Sequence, residues 1–128
     1  MSACTPANGR IENVEIAIGT SDKFSTEEIE EAINRVKDKF VHDFRDCELL
    51  QLWYDEESSE SQIERYMNFG GGRTNGVSRE NVIILFSNFK AGSRADMTFN
   101  RNSIYENWVW ILIRDSKNDP WRVDDWGH

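Results

Sequence analysis

Apolar residues repeat at helical spacing over the stretch from Thr26 to Phe44. They recur at steps of four, three, four and four, which places them on one side of a helix. The stripe consists of Ile29, Ile33, Val36, Phe40 and Phe44. Ser25 and Glu28 have the spacing of a capping box just before it. The pattern predicts a helix over 26–44, the longest element of the chain, packed across a sheet.

Three further stretches have the patterns of strands. Residues 14–18 alternate apolar and polar, 48–55 are largely apolar on both faces, and 81–89 form an almost continuous apolar run. They predict a short first strand and two buried strands. Residues 58–69 have helical spacing and predict a second helix capped by a serine. The glycine-rich stretch 70–78 predicts a mobile loop.

Tryptophan is concentrated at the end of the chain, where residues 108–126 contain four of the five. The stretch from Trp108 to Asp115 predicts one strand, and the stretch from Trp121 to Gly127 predicts another. The short polar segment between them predicts the loop of a closing hairpin. The polar stretch 90–103 predicts a long loop before it. The order strand, helix, strand, helix and three strands predicts an α+β fold, with a long N-terminal helix packed on a curved, mainly antiparallel sheet.

Length and charge limit the possible functions. A chain of 128 residues forms one ordinary domain. The net charge is −8, with 16 acids against 6 bases in residues 1–64 and 7 against 9 in residues 65–128. An acidic protein repels phosphate backbones, so we expect no nucleic-acid partner. No apolar run approaches the roughly 20 residues that span a bilayer.

Two cysteines are too few for a disulfide framework, and Cys47 is expected in the core. Met1-Ser2-Ala3-Cys4 resembles the end of a bacterial lipoprotein signal, in which the cysteine becomes lipidated. We therefore expect a lipid anchor on Cys4, a flexible tether over 1–12 and a single domain over 13–128. The expected location is outside the cytoplasm, anchored or secreted. The alternative is a cytoplasmic protein whose fourth residue happens to be cysteine.

Several segments together resemble a family of bacterial domains, domain of unknown function 4829. They are 27–32, 47–56, 81–86, 102–105 and the tryptophan hairpin, 108–127. The resemblance covers about 100 residues and implies a lipoprotein or secreted protein of Gram-positive bacteria. It also implies a cystatin-like or nuclear-transport-factor-like roll, in which a curved sheet wraps a helix around a conical pocket. That superfold includes enzymes, ligand binders and interaction modules, so it leaves the function open.

Catalytic chemistry has few candidates in this sequence. His42 lies outside the helical stripe and is expected on the surface. The best acid or base candidates are Asp124 and Asp125, because one of two consecutive strand residues must face inward if both faces are covered. Strand alternation puts Asp125 with Trp121 and Val123, where desolvation would favour a protonated carboxyl, and Asp124 with Arg122 and Trp126. Tyr54 and Tyr105 are their candidate polar partners. Pairing of Asp124 with Arg122 or Arg114, or solvation of both carboxylates, is the alternative.

Metal and phosphate sites are not expected. The acidic cluster 55–60 is expected to be a solvated turn. A cation needs several oxygens that converge on it, whereas consecutive strand residues point apart. Residues 115–119 lack the closing glutamate of a calcium loop, and 70–74 lack the lysine and spacing of a phosphate loop. We expect no metal and no cofactor.

Trp108 and Trp110 fall on one strand face and, with Trp53, are the candidate ligand-binding aromatics. The competing interpretation packs the Trp108 and Trp110 face on the long helix. The sequence as a whole favours a non-catalytic binding or interaction domain of unknown ligand. The alternatives are a small-pocket enzyme using Asp124 or Asp125, and an envelope module that contacts anionic wall polymers through basic loops. Those loops carry Arg73, Arg79, Lys90, Arg94 and Arg101.

Overall fold

The computed structural model describes residues 7–95 and 99–127. Seven main elements follow one another along the chain: β1 (Glu15–Ile18), α1 (Thr26–Asp43), β2 (Cys47–Tyr54), α2 (Glu56–Phe69), β3 (Val82–Ala91), β4 (Ile104–Ile113) and β5 (Arg122–Gly127). Short 3-10 turns at Gly71–Arg73 and Arg79–Asn81 connect α2 to β3. These elements confirm the α+β class.

The five strands form one open sheet in the order β1-β2-β3-β4-β5. β1 pairs with β2 in parallel, and every other pairing is antiparallel. The sheet is therefore mixed, with β1 and β5 at its edges. A parallel pair needs a crossover connection, and α1 provides it. The long helix follows a strand, as the predicted order of elements had it, so the description of the fold as having a long N-terminal helix is wrong.

α1 has the sequence signals of a stable helix and a fully buried stripe. The Ser25 side chain accepts from the Glu28 N–H at 3.1 Å, and the Glu28 carboxylate accepts from the Ser25 N–H at 2.9 Å. The residues of the stripe, with Phe44 just past the helix, are all buried. They pack on one face of the sheet, which we call the α1 face. The helical periodicity predicted this packing.

α2 covers the opposite face of the sheet, which we call the α2 face. Ile63 and Tyr66 pack there against Ile84, Phe86 and the start of β3. The helix begins at Glu56, because the side chain of Asp55 accepts from the Ser58 N–H at 3.0 Å. A carboxylate caps α2, and the predicted serine cap is wrong. The sheet lies between two helices.

Three strand pairs contain a register shift. They fall between Leu49 and Gln51 in β2, between Ser87 and Phe89 in β3, and between Ile111 and Leu112 in β4. A bulge bends the strand and changes which face the following residues occupy. The shifts therefore change side-chain positions that simple alternation predicts.

Residues 7–12, which the sequence assigned to the tether, are attached to the domain. The N–H of Gly9 donates to the Val41 carbonyl at 3.0 Å, and that of Arg10 donates to the Cys47 carbonyl at 2.9 Å. Gly9 is buried so close to α1 that an added Cβ would clash with the Phe40 carbonyl. Residues 1–6, including Cys4, lie outside the described residues. In the described part of the chain, no helix is long and apolar enough to cross a bilayer.

Candidate functional site

α2 leaves part of its sheet face open, and a groove of about 480 Å³ lies there. Its floor is formed by Trp53 from β2, Phe86 from β3 and Val109 from β4, with Asn107 beside them. The first half of α2 supplies the other wall: Glu57, Ser58, Ser61 and Gln62. We call this feature the Trp53 groove. It is built on two strand pairs and one helix, so its shape is set by the core of the domain.

The floor is a row of cross-strand neighbours. Trp53 pairs with Phe86, and Phe86 pairs with Val109. The Trp53 and Phe86 rings are stacked, with centroids 6.1 Å apart and planes 24° apart. Strand alternation puts Leu52 and Tyr54 on the α1 face and Trp53 on this one. Trp53 is half-buried, so part of its indole remains available to a ligand.

A row of amide side chains follows the aromatic row. Gln51 pairs with Asn88, whose Nδ2 donates to the Gln51 Oε1 at 2.9 Å. The Asn88 Oδ1 in turn accepts from the backbone N–H of Asn107 at 2.9 Å. Asn107 has a φ of 56°, in the left-handed region, at the register shift between β3 and β4. The shift thus brings the Asn107 side chain to the groove.

Apolar and neutral polar side chains dominate the described lining of the groove. Among the described residues that line it, Glu57 alone carries a charge. The others offer aromatic and aliphatic surface, two hydroxyls and two amides. A largely apolar floor with a few polar groups at its rim is the usual composition of a small-molecule site.

A second polar feature surrounds Tyr66 on the same face. The Tyr66 hydroxyl donates to the Asp124 Oδ2 at 2.6 Å and accepts from the Asn75 Nδ2 at 2.7 Å. Burial raises the pKa of Tyr66, and the hydrogen bond to Asp124 raises it further, so the phenol stays protonated. Asp124 and Asn75 also line a cleft of about 280 Å³ with Arg122 and Ser78. We call these three hydrogen-bonded residues the Tyr66 node.

The glycines after α2 belong to this node. An added Cβ at Gly72 would lie 2.7 Å from the Met67 Sδ and 2.8 Å from the Tyr66 ring. One at Gly71 would lie 3.3 Å from the Asp124 Oδ2. The sequence predicted a mobile loop here, but these residues form a turn that passes closely over Tyr66 and needs the absence of side chains.

The predicted position of Asp125 is wrong, because β5 contains a bulge. Val123 pairs with Leu112 and Asp125 pairs with Ile111, which leaves Asp124 as the extra residue. Since Ile111 and Leu112 point to opposite faces, Asp125 lies on the face opposite Val123. Both carboxylates are exposed. Neither has the buried position against tryptophan that a protonated carboxyl would need.

The arginines proposed as partners of Asp124 pair elsewhere. The Arg122 guanidinium contacts the Asp115 carboxylate at 3.1 Å, and that of Arg114 contacts the Glu28 carboxylate at 2.6 Å. Arg114 is 5% exposed and lies 4.2 Å from the centre of the Trp121 ring. It joins the start of α1 to the segment before β5.

The structure does not bring Tyr54 or Tyr105 to Asp124, because both pack on the α1 face. The Tyr54 hydroxyl donates to the Glu56 carboxylate at 2.9 Å. Burial and the hydrogen bond to Glu56 raise the pKa of Tyr54. Tyr105 stacks on Phe89 at 5.1 Å. The sheet separates these two phenols from the Tyr66 node.

Trp108 and Trp110 pack under α1, as the competing interpretation had it. Trp110 is fully buried and Trp108 is 9% exposed, and Phe44 contacts both rings. The Trp110 Nε1 donates to the Ser87 Oγ at 2.8 Å, and Ser87 donates to the Trp108 carbonyl at 3.2 Å. These rings form no surface platform. Of the three candidate aromatics, Trp53 alone reaches the groove.

The five basic loop residues do not form one patch. Arg73 and Arg79 lie before β3, whereas Lys90, Arg94 and Arg101 lie near its other end. β3 has ten residues, so its two ends are about 30 Å apart. Arg79 also pairs with Glu64 at 2.6 Å, and that contact lowers the pKa of Glu64.

The acidic cluster after β2 supports local structure. Asp55 caps α2, and the side-chain and backbone hydrogen bonds from Ser58 lower its pKa. Glu56 accepts hydrogen bonds from Ser21 and Tyr54, and its pKa is lowered, chiefly by Ser21. Within the described ranges, no group of three or more His, Cys, Asp or Glu residues is placed to hold a metal ion. His42 is exposed on α1.

Sequence reasoning missed Phe86, Asn107 and Tyr66. The sequence placed Phe86 in a predicted buried strand and Tyr66 in the apolar stripe of a predicted helix. The three glycines directly after α2 were the available signal for a close approach to Tyr66. Asn107 had no comparable signal, because its role depends on the register between β3 and β4.

A family model described as a domain of unknown function, DUF4829, matches residues 15–127. The chain belongs to this family. The match runs from the first residue of β1 to the last of β5, so the Trp53 groove and the Tyr66 node both lie within the DUF4829 domain. It confirms the resemblance that the sequence segments indicated. No curated protein and no solved structure matches the chain.

Proposed function

We propose that this DUF4829 domain is a non-catalytic binding module and that its ligand occupies the Trp53 groove. The observation that carries the proposal is the sheet area left open beside α2, where a half-buried Trp53 stacks on Phe86. Open aromatic surface in a concave site favours binding, because water that contacts it is released when a ligand covers it.

Rigidity supports the same proposal. The residues of the floor are paired across β2, β3 and β4, and the wall residues belong to α2. A site held on regular elements loses little conformational entropy when it is occupied. A ligand of moderate size can therefore bind with few directed contacts.

A fragment screen followed by two-dimensional amide NMR would test this proposal. Fragments that bind should shift the amides of Trp53, Phe86 and Asn107, and Trp53→Ala should remove those shifts. Trp126→Ala is the matched control, because Trp126 is 40% exposed and lies on the α1 face. Hits that map consistently to another surface, or hits that survive Trp53→Ala, would contradict the assignment.

A second candidate function, acid or base catalysis by Asp124, is favoured by the hydrogen bond of 2.6 Å from Tyr66 in a polar cleft. Tyr66 orients that carboxylate, and Arg122 lies in the same cleft. The test is Asp124→Asn. If every turnover detected for the unchanged protein persists in this variant, catalysis by Asp124 is ruled out.

The proposal includes an extracytoplasmic location, with a lipid anchor on Cys4. Residues 7–10 attach beside the end of α1, where Asp46 contacts both Ala7 and the Arg94 N–H, so the anchor would enter at the end that carries Lys90 and Arg94. Fatty-acid labelling in a bacterial host tests the anchor. Label that is retained in Cys4→Ser would contradict it.

A further inference from the structure

We propose that the ligand of the Trp53 groove is a neutral glycan. This inference rests on the proposed function and deepens it by naming the chemical class. It is drawn from one juxtaposition, a half-buried indole on the groove floor beside the neutral polar side chains of Asn107, Ser58, Ser61 and Gln62. The aromatic surface suits the apolar face of a sugar ring, and the polar side chains suit its hydroxyls.

The aromatic row matches the apolar face of a pyranose. Such a ring carries several C–H bonds on one side, and these pack well against the electron-rich face of an indole. Trp53 is half-buried and stacks on Phe86 with the two ring planes 24° apart, and Phe86 itself is only 7% exposed, so the indole supplies most of the open ring surface. Val109 extends this surface onto β4. A flat ring can lie on the indole, and a second ring linked to it can extend along the floor toward Val109.

The amide row matches the hydroxyls at the edge of a sugar. A hydroxyl both donates and accepts, and an amide side chain offers both functions as well. Asn107 lines the groove, and its backbone N–H donates to the Oδ1 of Asn88, whose Nδ2 donates to Gln51, so Asn107 is held in place before a ligand arrives. On the other wall, Ser58, Ser61 and Gln62 offer the same neutral chemistry. The amides and hydroxyls of the lining thus suit the hydroxyls of a ring that lies on the floor.

Charge argues against anionic ligands. Glu57 is the charged residue among the described lining of the groove, and it is acidic, as is the whole chain at −8. A phosphate or carboxylate there would face repulsion without a cation to offset it. A lipid chain favours an enclosed apolar cavity, whereas this groove has polar walls along its length. A neutral, hydroxyl-rich ligand remains the best match.

Titration with a panel of neutral oligosaccharides would test this inference. The panel contains β-linked and α-linked glucose and N-acetylglucosamine oligomers, and binding is followed by tryptophan fluorescence and amide NMR. At least one series should bind with an affinity that rises with chain length. Trp53→Ala should weaken binding at least tenfold. Asn107→Gly, which keeps the left-handed backbone, should weaken it severalfold.

Controls separate folding from binding. Trp126→Ala should leave glycan affinity unchanged, and urea unfolding of each variant verifies that the fold is intact. An oxidised, carboxylate-bearing version of the best glycan should bind more weakly than its neutral parent. Tighter binding of the anionic version would overturn the inference.

The remaining outcomes distinguish the two proposals. If fragments or extended peptides shift the groove amides but no neutral glycan does, the groove is a binding site and the glycan inference is wrong. If glycans and fragments both leave the groove amides unshifted, the proposed function fails as well. If glycan binding survives Trp53→Ala and Asn107→Gly, the glycan site lies elsewhere and the inference is overturned.

Discussion

Replacing Glu28 by glutamine should destabilise the domain without disturbing the start of α1. The Glu28 side chain both accepts from the Ser25 N–H and pairs with Arg114 at 2.6 Å. Glutamine can still accept from Ser25. The change therefore removes the ion pair and keeps the cap, which leaves the Arg114 guanidinium buried without a counter-charge.

The burial of the two partners sets the size of the effect. Removing one member of a buried ion pair costs about 3–5 kcal/mol. Arg114 is 5% exposed, but Glu28 is 19% exposed, so water already screens part of the attraction. Arg114 also keeps neutral acceptors at Asn81 and Lys117. We expect a loss of about 2–3 kcal/mol in the free energy of unfolding, which is smaller than for a fully buried pair.

Urea unfolding followed by tryptophan fluorescence measures this loss. With a slope of about 1–3 kcal/mol per molar urea, a loss of about 2–3 kcal/mol should lower the midpoint by about 0.7–3 M at an unchanged slope. Glu27→Gln is the matched control, because Glu27 is exposed in the same first turn and the net charge changes equally. It should change stability by less than about 0.5 kcal/mol.

The acid dependence provides a second measurement. Burial alone would raise the pKa of Glu28, but hydrogen bonds from Ser25 and Arg114 outweigh burial and lower it. A lowered folded-state pKa contributes stability that is present above the unfolded value of about 4.3 and is lost as the pH falls through the folded pKa. Glu28→Gln should therefore flatten the stability profile below about pH 4.3.

A double-mutant cycle with Arg114→Met completes the test. If the pair is coupled, the double variant should be more stable than the sum of the two single effects by at least about 1 kcal/mol. A coupling energy near zero, or a Glu28→Gln variant as stable as Glu27→Gln, would refute the argument that the guanidinium depends on Glu28.

Three further changes probe separate contacts. Gly9→Ala should destabilise by about 2 kcal/mol or more in thermal unfolding, because its Cβ would clash with the Phe40 carbonyl; an unchanged melting temperature would contradict the close approach. Tyr66→Phe should cost about 1–2 kcal/mol in urea unfolding, since its hydroxyl bonds to Asp124 are lost, and equal stability would show that they contribute nothing net. Asp55→Ala should cost about 1 kcal/mol, while Asp55→Asn should retain most of the cap; equal losses in the two variants would count against capping.

Much of the architecture was predictable because hydrophobic periodicity reports burial directly. The stripe from Ile29 to Phe44 predicted α1, and the apolar run from Val82 to Phe86 predicted β3 as a strand covered on both faces. The family was recognisable from the same segments. These features depend on local pattern, which the chain carries in sequence order.

The candidate site was predictable only in part. Trp53 was among the candidate aromatics, but Trp108 and Trp110 went into the core, because the face they share is the one that α1 covers. The positions of Asp125 and Asn107 depend on one-residue register shifts, which no alternation rule contains. The partner of Tyr66 depends on a contact between residues 58 positions apart. Such features are set by tertiary packing rather than by local pattern.

The bulge in β5 also affects the tendency of the sheet edge to pair with strands of other molecules. An open sheet presents two unpaired edges, and a flat edge is a template for strands of other molecules. β1 is only four residues long, and β5 is interrupted at Asp124, where two consecutive carboxylates are exposed. Short edges, irregular pairing and charge each oppose the addition of another strand. The two exposed aspartates of β5 thus oppose edge-to-edge aggregation of the sheet, whatever else they do.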